Sequence, residues 1–474
     1  MESKKISGKV LLILILIAAA SIRFYRLPEY LQFLGDQGRD LLVVKDMIVN
    51  HKFTLLGPTA SVGGFYTGPI YYYFMLPFLW LSNLHPVGSA VMAVLFGLAT
   101  IVLVYYFVKD LAGEKAGLIS ALLMAVSPKM IDISRFSWNP NPVPFFSLAG
   151  IYALYKRWVF VSGICLGILV QLHYIDLVFG PILGLALVFM FKLKDLVKQI
   201  LLVSAGFIVG NSMFLLFELR HGFPNTKSVV EFIFRGGQTV APRSFNFIEL
   251  FMEIYRRTFE NVFQVIANPV FNLIIYSSLL VFIYFSWKNR PKLIPVLTWL
   301  VVGILGLGFY RGALLEHYFN FLYILPFVIL GVVISRHKVF YLVLPFLIYL
   351  SIIKWYIFSP PNNLVEQTQA VDRIVMQLVD GEDFNFALIT PGNSDHAYRY
   401  FLEIWGKTAK VIYNPDIDPM RISVTNQLIV VCEGECEPLG NPLWEVAGFG
   451  RAEIKDEIAG PAGIKVYKLV HYKG

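Results

Sequence analysis

The stretch that decides the fold is "GPIYYYFMLPFLWL", residues 68–81, because whether it crosses a bilayer sets the side of every later loop. It is apolar throughout, yet short, with prolines at 69 and 77. Around it, the 474-residue chain is 57% hydrophobic and 15% charged, with a mean hydropathy of +0.63. A soluble domain carries about 25% charged residues, so this composition is that of an integral membrane protein. Runs long enough to cross ~30 Å of hydrocarbon begin near residues 7, 88, 116, 143, 158, 174, 198, 269, 293, 318 and 339, about eleven in all. "MESKKISGKVLLILILIAAASIRFYRL" lacks a small-residue cleavage site after its apolar run and reads as a retained span.

Leaving 69–84 uncounted, with Lys4, Lys5 and Lys9 inside, puts "KDLAGEK" (109–115), "KR" (156–157), "KLKDLVK" (192–198), "KNRPK" (288–292) and "SRHK" (335–338) in the cytoplasm. Counting it as a span moves all five basic clusters outside, against the positive-inside rule. The tyrosine-rich stretch is therefore expected to be a juxtamembrane or re-entrant helix on the outer face. Long outer loops then cover about 23–87 and 218–268, and residues after 358 lie outside too. "SPPNNLVEQTQAVDRIVMQLVDGEDFNFALIT" starts as a Pro/Asn linker, then predicts a helix and a β run. "SDHAYRYFLEIWGK" predicts a helix, and "NQLIVVC" and "IKVYKLV" predict strands. The expected domains are a membrane body, 1–358, and a small extracytoplasmic α/β domain, 359–474. Cys432 and Cys436 form a C-x3-C pair that reads as a weak metal signal or a short-loop disulfide. The net charge of +8 comes largely from topogenic clusters and does not signal nucleic acid.

The polar residues of interest fall on the outer side. Asp36, Arg39 and Asp40 lie in "GDQGRD" (35–40); Arg135, Trp138, Asn139 and Asn141 in "SRFSWNPNP"; His173, Tyr174 and Asp176 in "LHYID". "FELRHGF" adds Glu218, Arg220 and His221, and "YRGALLEHYF" adds Arg311, Glu316 and His317. Ionisable groups at a membrane are costly and by default mark function. Carboxylates supply a general base, arginines grip phosphate, and aromatic faces stack on sugar rings. Structural alternatives stand beside each. Asp36 reads equally well as a helix N-cap, Asp40 as a helix-dipole partner, Asn139 and Asn141 as a proline-rich turn, His173 as a hydrogen-bonded interface histidine, and one or more of Tyr71 to Tyr73 as interfacial belt.

The ordered set of one span, an acidic outer loop, a proline-containing juxtamembrane helix and then "VYYFVKDLAGEKAGLISALLMAVSPKMIDISRF" resembles the GT-C-fold glycosyltransferases that use polyprenyl-phosphate sugars, nearest to the protein O-mannosyltransferase and aminoarabinose-transferase families (glycosyltransferase families 39 and 83). The likeness is best over residues 1–220. It implies a GT-C-like polytopic α-helical protein of the plasma or inner membrane that moves a sugar to a protein, glycan or lipid acceptor with inversion. Asp36 then stands where the family's catalytic base stands, with Asp40 as a second catalytic candidate. Arg39, Arg135, Asn139, Asn141, His173, Tyr174, Arg220, His221, Arg311, His317 and Tyr71 become expected substrate contacts. A divalent cation, Mg or Mn, is possible on Asp36 and Asp40. The chain departs from the family at Gln37, where the family has Glu, and at Asn139 and Asn141, where it has Asp. "YTGPIYYY" also lacks the family's ionisable element. A lipid-linked polysaccharide polymerase or ligase, and a lipid-sugar transporter or flippase, are the alternatives.

Overall fold

The computed structural model describes residues 7–60, 64–235, 246–288, 290–310, 312–358, 361–379 and 381–472. Two compact units share the chain. One comprises 1–25, 53–75 and 89–360; the other comprises 26–52, 76–88 and 361–474, so it draws on two pieces of the segment after the first helix as well as the C-terminal residues.

The first unit is helical. Its first helix, α1 (Gly8–Phe24), is capped by the Ser7 side chain at one end. At the other end, the Arg135 guanidinium donates to the carbonyls of Tyr25 (3.0 Å), Ile22 (3.4 Å) and Arg23. Those carbonyls have no partner inside the helix, and a cation there also meets the negative end of its dipole. The same guanidinium lies 3.7 Å over the Tyr356 ring, and the Tyr356 hydroxyl donates to Ile22 and Tyr25. Arg23 is itself buried and donates to Ala125 at 3.0 Å.

Helices Val159–Leu172 and Leu193–Gly210 cross on small residues. A Cβ on Gly163 would stand 2.2 Å from the Val203 carbonyl oxygen, and one on Gly206 would stand 2.1 Å from that of Phe160. Close backbone contact of this kind is how helices associate where lipid offers no hydrophobic drive.

Among the described residues, two helices are long and apolar enough to span a bilayer, α4 at Val87–Ala112 (numbered after α2 and α3, below) and Pro269–Trp287. The number rises to four if each bent pair is one span: Leu193–Gly210 with Ser212–His221, and Glu316–Leu322 with Leu325–Ile334. Several further apolar runs form helices of 10–17 residues, such as Val143–Tyr155 and Val159–Leu172. The tyrosine-rich stretch is one of these, α3 (Ile70–Leu81), with Pro77 inside it. Its 12 residues reach only about 18 Å at 1.5 Å per residue.

The second unit is built on a four-stranded sheet of order β1-β2-β4-β3. Its strands are β1 (Asn385–Ile389), β2 (Gln427–Cys432), β3 (Ala452–Ala459) and β4 (Lys465–His471). β1 and β2 are parallel, and β4 is antiparallel to both β2 and β3. Alternate residues face two cores: Phe386, Leu388, Ile429, Val431 and Val466 pack with helix Val365–Leu378 on one side. Ala387, Leu428, Val430, Tyr467 and Leu469 pack with Phe449 on the other. Burial on both faces explains why "QLIVVC" runs apolar without alternation. Cys432 and Cys436 are joined as a disulfide.

Helix Val365–Leu378 also buries Asp372 completely, and neither carboxyl oxygen has a hydrogen-bond partner among the described residues. Burial lifts this carboxyl well above the usual carboxylate range. The folded state thus holds a proton that the unfolded chain releases, and stability falls as pH rises above about 4. Asp372→Asn is expected to stabilise the protein at neutral pH by about 1–3 kcal/mol and to flatten this pH dependence, read by thermal melting in detergent across that range.

Candidate active site

The acidic motif opens helix α2 (Gly35–Val49), an amphipathic helix that buries Leu41, Val44 and Met47. Its free N–H groups are met by residues other than Asp36. Leu34 N donates to Gln37 Oε1 at 2.9 Å, and Gly35 N donates to Asn393 Oδ1 at 2.9 Å. Asp36 is thus no N-cap; it sits inside the first turn with its side chain 49% exposed. Arg39 lies between the two carboxylates, 3.0 Å from Asp36 and 2.9 Å from Asp40. Asp40 is only 1% exposed, so it orients the guanidinium and presents nothing to a substrate. Of the motif's two carboxylates, Asp36 is the open one.

The glycines of the motif are packing residues. A Cβ on Gly38 would lie 2.4 Å from the Ala397 nitrogen and from the His396 carbonyl carbon. One on Gly35 would lie 1.9 Å from Ser394 Oγ. Only hydrogen fits in either place, and α2 therefore lies directly on the start of helix His396–Ile404. Phe33 stacks edgewise on Tyr400 and Phe401, at 5.9 and 5.3 Å. Lys45 pairs with Glu403, and Val365 N donates to Leu31 O at 2.9 Å. Beneath this contact, Glu433 in the disulfide loop accepts from Tyr398 (2.8 Å), Thr390 (2.7 Å) and Asn393 (3.1 Å).

At the expected cation site, Asp36 and Asp40 both hold Arg39, and among the described residues no group of three or more His, Cys, Asp or Glu is placed to hold a metal ion.

In the first unit, three loops converge on a cluster of rings. The His173 and Tyr174 rings stack at 4.6 Å. His317 is 5.2 Å from His173 and 4.7 Å from Trp138. Tyr174 shares a hydroxyl hydrogen bond with Tyr318 at 2.6 Å and one with Tyr310 at 3.4 Å. The proline-rich turn aims Trp138 into this group: Asn139 donates to Leu172 O (2.6 Å), and Asn320 donates to Pro140 O (2.8 Å). Asn141 donates to Phe136 O at 2.8 Å, so both asparagines serve the turn. Lys129 pairs with Glu316, and Arg257 donates to Leu314 O at 3.2 Å, fixing the last of these loops. Tyr71 is buried and bonded to Ser137, and Tyr72 is buried as well, so neither belongs to an interfacial belt.

Other expected contacts lie elsewhere. Arg135 is committed to α1. His221 stacks on Phe217 of its own helix at 4.1 Å, and Arg220 is exposed at that helix's end. Glu218 accepts from the start of the next helix, at Asn225 and Thr226. Arg311 lies outside the described residues. Sequence reasoning missed Tyr310, Tyr318 and Lys129, although both tyrosines flank expected residues in "YRGALLEHYF". It missed the partners of Gly35 and Gly38 altogether.

No protein-family model and no curated protein matches the sequence. Solved structures do match. ArnT (aminoarabinose transferase) from Cupriavidus metallidurans superposes with a TM-score of 0.66 at 12% identity, covering 98% of each chain. The oligosaccharyltransferase of Archaeoglobus fulgidus matches at 0.54 and 13% identity, over 84% of this chain and 64% of its own. The fold is GT-C. The likeness extends over the helical unit and the small sheet-containing C-terminal region.

The glycine contacts generate a graded prediction. Gly38→Ala drives a methyl into backbone that cannot move aside, and is expected to cost about 1–3 kcal/mol. Gly35→Ala meets mainly the Ser394 hydroxyl, so Ser394→Ala should recover part of its loss. Thermal melting of the four proteins, wild type included, orders them.

Proposed function

We propose that this protein is an inverting membrane glycosyltransferase that takes a sugar from a polyprenyl-phosphate donor to an extracytoplasmic acceptor, with Asp36 as general base. The observation that carries the reading is that an ArnT-like fold spanning nearly the whole chain has a half-exposed carboxylate, Asp36, in the first turn of its second helix. ArnT has been seen bound to undecaprenyl phosphate, and the oligosaccharyltransferase AglB from A. fulgidus with dolichol-phosphate and an inhibitory peptide. The same donor class is proposed here. The N-terminus is cytoplasmic in this reading, and the C-terminal unit lies outside.

The acceptor hydroxyl gives its proton to Asp36 as its oxygen bonds to the anomeric carbon, while the bond from that carbon to the phosphate oxygen breaks. The electron pair leaves with the phosphate. Charge builds on the sugar ring as an oxocarbenium ion, the difficulty glycosidases also face. Fixed positive charge stabilises the departing phosphate; Arg39, beside Asp36, is the candidate. Arg39 also holds the Asp36 side chain in place, and the buried Asp40 fixes Arg39. Within the helical unit, the rings of His173, Tyr174, His317 and Trp138 are flat faces of the kind on which a sugar or an isoprenoid chain stacks.

Asp36→Asn is expected to lower kcat by about 100- to 10,000-fold while leaving donor affinity nearly unchanged. Transfer from a panel of labelled undecaprenyl-phosphate sugars, with purified protein in liposomes and added envelope extracts as acceptor, measures both. Undiminished turnover in Asp36→Asn removes Asp36 as the base. Asp40→Asn is expected to act more weakly and chiefly through disorder of Arg39.

A further inference from the structure

One side-chain amide joins the acidic motif to the disulfide loop of the C-terminal sheet. Helix α2 begins with N–H groups that have no partner inside the helix. That of Gly35, the residue before Asp36, donates to Asn393 Oδ1 at 2.9 Å, and the same oxygen accepts from Ser394 N at 2.9 Å. At the other end of the amide, Asn393 Nδ2 lies 3.1 and 3.4 Å from the two carboxylate oxygens of Glu433. A carboxylate only accepts and a backbone N–H only donates, so a single orientation of the Asn393 amide satisfies both sides. Glu433 selects it.

Glu433 is itself firmly placed. Its carboxylate accepts from Thr390 Oγ1 at 2.7 Å and Tyr398 OH at 2.8 Å. Its N–H donates to Ile389 O at 3.0 Å, which carries the pairing of the parallel strands β1 and β2 one residue past their ends. Gly434 follows with a φ of +106°, a conformation that glycine adopts without a steric cost. The Cys432–Cys436 disulfide closes the turn. The disulfide would hold such a turn by itself; the carboxylate adds a link from it to α2.

We infer that Glu433 is a positioning residue for the acidic motif: through Asn393 it fixes the first turn of α2, and with it the array of Asp36, Arg39 and Asp40. This rests on the reading of that motif as the catalytic one. The link runs from the backbone of Gly35 to Glu433 and leaves the pairs that Arg39 makes with Asp36 and Asp40 intact.

The test follows amide exchange of Gly35 in the full-length protein in nanodiscs, with the strand amides of Val430 and Leu469 reporting an intact sheet. Glu433→Ala is expected to speed Gly35 exchange about 2- to 30-fold, the range that loss of a capping side chain covers. Asn393→Asp is the sharper variant. Asp caps a helix as well as Asn does, so a cap independent of Glu433 would keep Gly35 protected. Set against the Glu433 carboxylate, it should instead speed exchange by a similar factor. Glu433→Gln in the same chain restores both a donor to that carboxylate and the wild-type net charge, and should reverse the loss. Unchanged exchange in Glu433→Ala or Asn393→Asp, or no relief in the pair, overturns the proposal. Should Glu433→Ala lose strand protection as well, Asn393→Asp and the pair decide. In the turnover assay with undecaprenyl-phosphate sugars, Asn393→Asp should lower kcat about 10- to 100-fold with donor KM little changed, and the pair should recover it. Wild-type kcat in Asn393→Asp also overturns the positioning role. Loosened and rescued exchange with no turnover from any donor, wild type included, supports the link and counts against the transferase reading instead.

Discussion

A missing methyl group holds the candidate site together. Because Gly38 has no Cβ, the first turn of α2 can lie on the backbone of residues 396–397, and everything else about the acidic motif follows from that approach. It allows Asn393 to cap Gly35 N and Tyr400 and Phe401 to clasp Phe33, and it sets Lys45 against Glu403. With its N–H groups satisfied by Gln37 and Asn393, the helix does not need Asp36 as a cap. The carboxylate is left open, steadied by a guanidinium that a buried aspartate aligns. The motif is thus a preorganised arrangement in which Asp40 and Arg39 hold the Asp36 side chain in place.

The helical unit solves a comparable problem at the end of α1. A chain leaving a membrane helix exposes its last carbonyls, and in or near lipid they have no water to turn to. Arg135 supplies donors to three of them and is itself stacked on Tyr356. An arginine that sequence logic assigns to phosphate is used up in ending a helix. The same economy appears at Asn139 and Asn141, whose amides brace a turn so that Trp138 reaches His317.

Much of this was legible in the chain itself. Charge in the short loops excluded 68–81 as a span, and it is a 12-residue helix. "NQLIVVC" and "IKVYKLV" are central strands of the sheet, because apolar runs bounded by polar turns have few other uses. The acidic motif stood out as charge where charge is costly. Other features had no local signature. The partners of Gly35 and Gly38 are some 360 residues away and appear only when tertiary contacts are made. Asp36 and Asp40 look alike in sequence, and only burial separates them. Composition registers hydrophobicity and not where a helix bends, so the 81° break between Leu193–Gly210 and Ser212–His221 had no signature either. "GICLG" and "GFIVG", residues 163–167 and 206–210, did carry a readable small-residue spacing for the helix crossing.

The central claim is that the lipid-borne sugar is cleaved from its phosphate and not merely moved. The decisive measurement is the fate of the carrier: undecaprenyl-phosphate sugar is placed in liposomes with the purified protein and acceptor extract, and the lipid is resolved after incubation. Free undecaprenyl phosphate formed in step with sugar appearing on the acceptor is the predicted result. Intact donor that has changed leaflet, with no free carrier lipid, would contradict it and make the protein a transporter.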